Sequence, residues 1–269
     1  MRPLLDLERQ LWEQGLKYVA GIDEVGMGAL AGPVVAAAVV FPPDMNLLEI
    51  KDSKQLTPLK RESLYPVIQK RALFIGIGKV EVERINQLNN IYTAGLEAMR
   101  KAACALKVEP EHLLVDGRQI PHLKIPQSRI VKGDEVNFSI AAASIVAKVY
   151  RDNLMKKYSE KYPDYHFARH KGYATAIHVE ALKKSGPCEI HRTSYEFIKG
   201  ICGGFSKTYY IFDRQINKAR EIKELDLLDN DLNRRNCEVS RIELKRLKRK
   251  MQFKKTIKRK KEGVEYNDS

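Results

Sequence analysis

The sequence predicts an α/β protein, and three observations carry that prediction. Short Val- and Ile-rich runs bounded by turn residues open the chain, helical spacing of apolar residues follows, and a second strand–helix alternation comes after it. In order, Leu4 to Gly15 reads as a short amphipathic helix ending at a glycine. "YVAGID" (18–23), "PVVAAAVVF" (33–41) and "ALFIGIGKV" (72–80) read as strands separated by turns. Residues 89–108 carry a helical pattern, "HLLVDG" (112–117) is a short buried strand, and "SRIVKGD" (128–134) is another. "NFSIAAASIVAKVYRDNLMKKY" (137–158) is a helix with enough small residues to lie close against a sheet. Past residue 203 the composition turns basic, and "LKRLKRKMQFKKTIKRKK" (244–261) reads as a solvated helix face, a tail or a nucleic-acid arm.

Bulk composition narrows the function classes. With 269 residues and 43% hydrophobic content the chain can build a core, which excludes wholesale disorder. Forty-eight Lys and Arg against 34 Asp and Glu give a net charge of +14, which favours a polyanionic partner. Cys104, Cys188, Cys202 and Cys237 form no Cys-x-x-Cys pair, so free thiols of a reducing compartment are expected rather than a zinc ribbon or a disulfide framework. The charged N-terminal stretch lacks the apolar segment of a signal peptide, and the longest apolar run, Ala29 to Phe41, contains Gly32 and Pro33 and is too short to span a bilayer. A soluble, cytoplasmic protein with no membrane role is the expectation.

The chemistry is expected where acids meet glycine. Asp23 and Glu24 precede Val25-Gly26, Asp116 precedes Gly117, and Asp134 follows Gly133. One acid at a strand end is commonly a turn former or a helix cap. Four gathered at one sheet edge repel one another and raise their pKa values, a penalty that a divalent cation removes. Mg²⁺ and Mn²⁺ prefer oxygen ligands and combine carboxylates with substrate phosphate. The glycines give backbone room for a phosphate beside those acids. Gly26-x-Gly28-x-x-Ala31 also matches a dinucleotide fingerprint formally, but Pro33 and a Val-rich run follow where that motif needs a helix.

"GIDEVGMGALAGPVVAAAVV", "DSKQLTP", "LLVDG", "KGDEVNFSIAAASIVAKVYRD" and "HKGYATAIHVEALKKSGPCEIHRTSY" resemble, in this order, the motifs of bacterial ribonuclease HII across roughly residues 18–200. The resemblance implies a ribonuclease H-like mixed sheet flanked by helices, with a C-terminal helical part, followed here by the basic tail. It implies an endoribonuclease that hydrolyses the RNA strand of RNA–DNA hybrids and cleaves 5′ of ribonucleotides embedded in duplex DNA. Two ions, Mg²⁺ or Mn²⁺, would serve it, and the products would be a 3′-hydroxyl and a 5′-phosphate. Carried over by position, Asp23, Glu24, Asp116 and Asp134 are the catalytic, metal-binding carboxylates. Gly26, Met27 and Gly28 form the turn that meets the 2′-hydroxyl at the junction, the group that distinguishes RNA from DNA. Lys54 resembles a lysine near the substrate backbone, with an exposed loop lysine as the alternative. Tyr173 resembles a tyrosine that packs on the junction sugars, with a half-buried aromatic as the alternative.

Met27 departs from the family's usual Gly-Arg-Gly-Pro turn. Main-chain donors survive that change, whereas a charge-assisted contact of about 1.5–3 kcal/mol does not. A hybrid-cleaving ribonuclease with weakened junction selectivity is therefore one alternative, and a non-catalytic nucleic-acid-binding relative is another. Arg151 and Asp152 do not face each other on a helix, so each is expected to pair elsewhere. His166 and His170 are spaced i, i+4, but their surroundings supply no further zinc ligands, and a loop or phosphate-proximal role is expected. His191 and Arg192 either contact phosphate or brace the fold, with bracing favoured. The expected organisation is a catalytic domain over 1–202 and a basic extension over 203–269. The expected protein acts as a monomer on hybrid and ribonucleotide-containing duplexes, with any replication or repair partner unspecified.

Overall fold

The computed structural model describes residues 4–43, 56–202 and 206–261. The chain divides into two compact units, Met1–His178 with Ile190–Tyr195, and Val179–Glu189 with Glu196–Ser269.

The first unit is built on a five-stranded mixed sheet. After helix α1 (Asp6–Glu13), strands β1 (Val19–Val25) and β2 (Val34–Val40) pair antiparallel. Helix α2 (Pro58–Arg71) leads to β3 (Phe74–Val80), and helices α3 (Val82–Leu88) and α4 (Ile91–Cys104) lead to β4 (His112–Asp116) and β5 (Gln127–Ile130). The strand order is β3-β2-β1-β4-β5, with β1–β4 and β4–β5 parallel and the other pairs antiparallel. Then come the single-turn α5 (Gly133–Val136), the long α6 (Phe138–Lys161), α7 (Phe167–His170) and the start of α8 (Ala176–Ser185).

The uninterrupted apolar run of β2 follows from burial on both faces. Val35, Ala37 and Val39 pack with Phe138, Ala142 and Val146 of α6, while Val34, Ala36 and Ala38 pack with Ala94, Ala98 and Ala102 of α4. Small residues set the layer spacing. A Cβ on Gly21 would lie 2.2 Å from the backbone carbonyl carbon of Ser139 at the start of α6, and one on Gly78 would lie 2.0 Å from the Ala98 carbonyl oxygen of α4. Both layers therefore rest on β-strand glycines. Glu8 of α1 is fully buried and ties that helix to the α6 N-terminus, accepting hydrogen bonds from Asn137 Nδ2 (2.8 Å) and the Ser139 N–H (2.9 Å). Burial raises its pKa against the lowering effect of these bonds.

The second unit carries α9 (Glu196–Cys202), α10 (Lys207–Lys218), α11 (Ile222–Arg234) and α12 (Arg241–Lys261). The basic run 244–261, which reads as a solvated face, a tail or an arm, supplies Leu247 and Met251 to a buried apolar cluster with Tyr209, Phe212 and Ile216 of α10 and Leu225 and Leu232 of α11. Their spacing of three, four or seven residues is helical; lysines separate Leu247 from Met251, and Asp, Asn, Gln and Arg stand among the others. Part of the basic charge is internal. Lys250 pairs with Asp213 at 2.5 Å, Lys255 pairs with Asp226 at 2.7 Å, and Lys254 donates to the carbonyls of Ile216 and Asn217. Arg241, Lys245 and Lys248 are exposed. Among the described residues, no helix is long and apolar enough to cross a membrane.

Candidate acidic active site

Parallel pairing builds the site. Ile22 of β1 aligns with Val115 of β4, so the next residues, Asp23 and Asp116, emerge side by side where the β1–β4 ladder stops, at the end of β4 and two residues before the end of β1. Carboxylate oxygens of Asp23, Glu24 and Asp116 lie within 4.8 Å of one another. Asp134 stands outside that set of three and does not end a strand: the strand stops at Ile130, and Asp134 occupies the first turn of α5. Left-handed backbone at Lys132 (φ 55°) closes the strand-to-helix corner, which reads in sequence as a continuation of the strand. Asp134 is nonetheless buried, and its charge reaches Asp23.

The electrostatics are those of a cation site. Asp23 is 5% exposed, and its pKa is raised well above the ordinary carboxylate range, first by burial and then by the charges of Glu24, Asp116 and Asp134. A hydrogen bond with Ser144 of α6 opposes the shift. The Glu24 N–H donates to Asp23 Oδ1 at 2.8 Å, and the Gly133 N–H donates to Asp116 Oδ1 at 2.6 Å, so both carboxylates are held by backbone. A set of oxygen donors with mutual repulsion fits hard divalent ions, and no thiolate or imidazole stands in it to favour zinc.

The acids lie in a cleft of about 520 Å³ whose other walls include Gly26, Met27, Arg61, Ser144, Lys148 and Tyr173. Lys148 bonds Asp152 at 2.5 Å. The Tyr173 ring lies 5.9 Å from Lys148 Nζ and 5.6 Å from the Arg151 guanidinium carbon. A Cβ on Gly28 would meet Tyr173 Cε1 at 3.9 Å, so the glycine turn and this tyrosine are neighbours. Lys54 lies outside the described residues.

Two buried arginines shape the glycine turn. Arg192 is fully buried and donates to the carbonyls of Gly26 (2.6 Å), Met27 (2.8 Å) and Gly32 (2.9 and 3.1 Å), and to Tyr195 Oη (3.1 Å). Arg151, equally buried, donates to the carbonyls of Ala31, Pro33 and Lys171. Arg192 therefore braces the fold, and Asp152 finds its partner in Lys148. Gly26 has φ +93°, and a Cβ there would lie 2.2 Å from Arg151 Nε, so this position takes glycine on both counts. Met27 turns its side chain away toward α4, where a Cβ on Gly95 would meet its Sδ at 2.8 Å.

His170, His178 and His191 are buried and hold the fold together. His170 Nε2 bonds the Tyr165 carbonyl at 2.7 Å, and its Nδ1 accepts the Gly172 N–H. His178 Nδ1 bonds the Tyr173 carbonyl and its Nε2 meets His191 Nε2, both at 2.9 Å. A carbonyl only accepts, so His178 Nδ1 carries the proton and His191 donates to His178 Nε2. His178 is buried, and burial pushes its pKa down to about 4. Ser144 and Arg61 were not singled out from the sequence, and Lys148 was given no role there. Ser144, Lys148 and Arg151 share one helical face, which was the available signal.

Comparison with known proteins agrees with this geometry. The Ribonuclease HII family matches residues 20–198. Ribonuclease HII of Caldanaerobacter subterraneus subsp. tengcongensis is 51% identical over 195 residues, covering 72% of this chain and 80% of that protein. Ribonuclease HII of Myxococcus xanthus is 48% identical over 204 residues, covering 76% and 69%. Among solved structures, the ribonuclease H2 from Pyrococcus horikoshii OT3 superposes with a TM-score of 0.58 at 26% identity, covering 69% of this chain and 97% of that one. The ribonuclease HII in the PCNA:RNase HII complex from Archaeoglobus fulgidus gives 0.57 at 28% identity, covering 66% and 95%. The Bst-RNase HIII solved in complex with Mn²⁺ shares the fold, with a TM-score of 0.53 at 22% identity over 70% of each chain.

Proposed function

The chain belongs to the ribonuclease HII family, a metal-dependent group of endoribonucleases that act on RNA–DNA hybrids, and from that premise we propose that it cleaves 5′ of ribonucleotides embedded in duplex DNA, by a two-metal-ion mechanism, at Asp23, Glu24, Asp116 and Asp134. One observation carries the reading: three carboxylates converge within 4.8 Å on a cleft that also holds Lys148 and Tyr173. When bound, two Mg²⁺ or Mn²⁺ ions neutralise charge on the attacking and leaving oxygens of an in-line displacement.

The chain's own residues set the geometry. Asp23, the most enclosed of the converging three, is held by Ser144 and the Glu24 N–H, and Asp116 is fixed by the Gly133 N–H. Water adds to phosphorus as the bond to the 3′ oxygen breaks, leaving a 3′-hydroxyl and a 5′-phosphate. Lys148 and Arg61 offer positive charge to the approaching phosphates, which positions a duplex without reading its sequence. Tyr173 packs against the junction sugar, and the Gly26–Gly28 backbone, its carbonyls held by Arg192, meets the 2′-hydroxyl. Lys54 adds a further backbone contact in this proposal. The exposed Arg241, Lys245 and Lys248 of α12 add sequence-independent affinity in a monomer.

A second reading is favoured by Met27: with its side chain packed at Gly95, the turn presents no cation, and selectivity for the junction over a plain hybrid would be reduced. A purely binding role would leave the acid cluster without a use. The test is Asp116→Asn, which keeps the oxygen that accepts the Gly133 N–H but removes the charge. Cleavage of a hybrid should fall to background with the fold intact, and retained activity would remove the proposed site.

A further inference from the structure

The acid cluster has a second flank. Glu24, Met27 and Asp116, which wall the main cleft, also wall a smaller cavity of about 130 Å³ toward α4, closed by Tyr92, Gly95 and Arg118 among others. The two cavities thus meet along the acids. On the first side stand Lys148, Arg61 and Tyr173. On the second side a cation and an aromatic ring recur, with the Arg118 guanidinium carbon 4.7 Å from the centre of the Tyr92 ring.

Both residues are placed by backbone devices. Gly117 has φ +66°, and the Arg118 N–H donates to the Asp116 carbonyl at 2.7 Å. This sharp reversal leaves the Asp116 carboxylate in the cluster and brings the next side chain back over α4. Asn90 caps α4 by accepting from the N–H groups of Tyr92 (3.0 Å) and Thr93 (3.2 Å), which fixes the first turn where the ring stands. Tyr92 is 55% exposed, and Arg118 forms no ion pair among the described residues. A guanidinium laid on an aromatic face is pre-organised with its donors directed outward, an arrangement suited to phosphate.

We propose that Arg118 and Tyr92 form a second substrate-strand subsite. Arg118 donates to a backbone phosphate on the α4 side of the scissile one, and Tyr92 flanks the adjoining sugar. A polyanionic strand crossing three carboxylates needs cations on both approaches, and Arg118 is the cation lining this cavity. The proposal rests on the nuclease reading above and adds the direction in which the strand leaves the acids.

The test compares wild type with Arg118→Ala, Arg118→Lys and Tyr92→Leu on an RNA–DNA hybrid. Arg118→Ala should raise KM about tenfold with kcat within about twofold, the pattern of a contact made equally in ground and transition states. Binding of the uncleaved hybrid in EDTA should lose about 0.9 from the slope of log K against log salt. Arg118→Lys keeps the charge and should recover the slope but only part of KM. Tyr92→Leu should raise KM less and leave the slope unchanged. Unchanged KM and slope in Arg118→Ala would overturn the proposal, as would a loss confined to kcat, which would mean that Arg118 acts through Asp116. A wild-type protein that fails to cleave the hybrid would overturn the nuclease reading itself, a separate outcome.

Discussion

Replacing Arg192 with Met tests whether the glycine turn is held from behind. The substitution keeps apolar volume and removes every donor, leaving the carbonyls of Gly26, Met27 and Gly32 without the guanidinium that now bonds all three. The Gly26 carbonyl keeps the Ala29 N–H and the Met27 carbonyl keeps the Tyr195 hydroxyl, both at 3.4 Å, so the Gly32 carbonyl alone loses its acceptor bonds outright, at about 1–3 kcal/mol, and each of the other two loses a charge-assisted bond of about 1.5–3 kcal/mol. Two effects reduce this. Water enters the vacated space, and the cost of burying a guanidinium, which lowers its pKa here, disappears with it. The expected net loss is about 3–5 kcal/mol, below the sum of the lost bonds, because only neutral carbonyls and a hydroxyl remain behind. Arg192→Lys, with one ammonium that cannot span three carbonyls, should lose roughly half as much. Denaturant unfolding of the three proteins measures the difference directly. A loss below about 1 kcal/mol for Arg192→Met would refute the assignment, because it would mean the carbonyls find equal partners without the side chain.

Three further outcomes follow from the same structure. Mg²⁺ or Mn²⁺ should stabilise the wild type, by about 2.7 kcal/mol at a hundredfold excess over Kd, while Asp23→Asn should be more stable than wild type without metal and gain little from it; equal thermal shifts in both would count against the cation site. Gly21→Ala should cost at least about 3 kcal/mol, because the new Cβ would meet the Ser139 backbone at 2.2 Å and neither layer can yield, and an unchanged unfolding midpoint would contradict this packing. The neutral His178 gives a pH dependence: its folded pKa of about 4 lies below the unfolded 6.5, so the stability it permits is present above 6.5 and is lost as pH falls toward 4. The stability of wild type minus that of His178→Gln should therefore decline on acidification by up to about 1.4 kcal/mol per pH unit, and a flat difference between about pH 7 and 4.5 would sink the assignment of a neutral His178 in the fold.

The sheet was legible because burial on both faces made β2 an uninterrupted apolar run, and because β1 and β4 each run into an acid. Other features were hidden for physical reasons. Helix α2 has the start signal of Thr57 and Pro58, but Pro66 inside it and few buried residues blur its apolar stripe. Leu247 and Met251 are diluted by the lysines of α12, two of which pair with Asp213 or cap the carbonyl of Ile216, and Phe212, Leu225 and Leu232 lie on helices that also carry Asp and Asn. Arg151 and Arg192 bond main-chain carbonyls, and a sequence does not reveal which arginines have carbonyls rather than anions as partners. The direction of the Met27 side chain depends on Gly95, a residue with no local link to the turn. Deleting the basic segment to probe its charge would dismantle a helical core that includes Leu247 and Met251, so exchange of the exposed Arg241, Lys245 and Lys248 is the cleaner perturbation.

The decisive assay is cleavage of a DNA duplex carrying a single ribonucleotide, with Mg²⁺ or Mn²⁺ present and the product ends mapped. One cut on the 5′ side of the ribonucleotide is expected, leaving a 3′-hydroxyl and a 5′-phosphate, and no cut by Asp116→Asn. A cut on the 3′ side, a 2′,3′-cyclic end, or equal activity in the variant would contradict a nuclease centred on these acids.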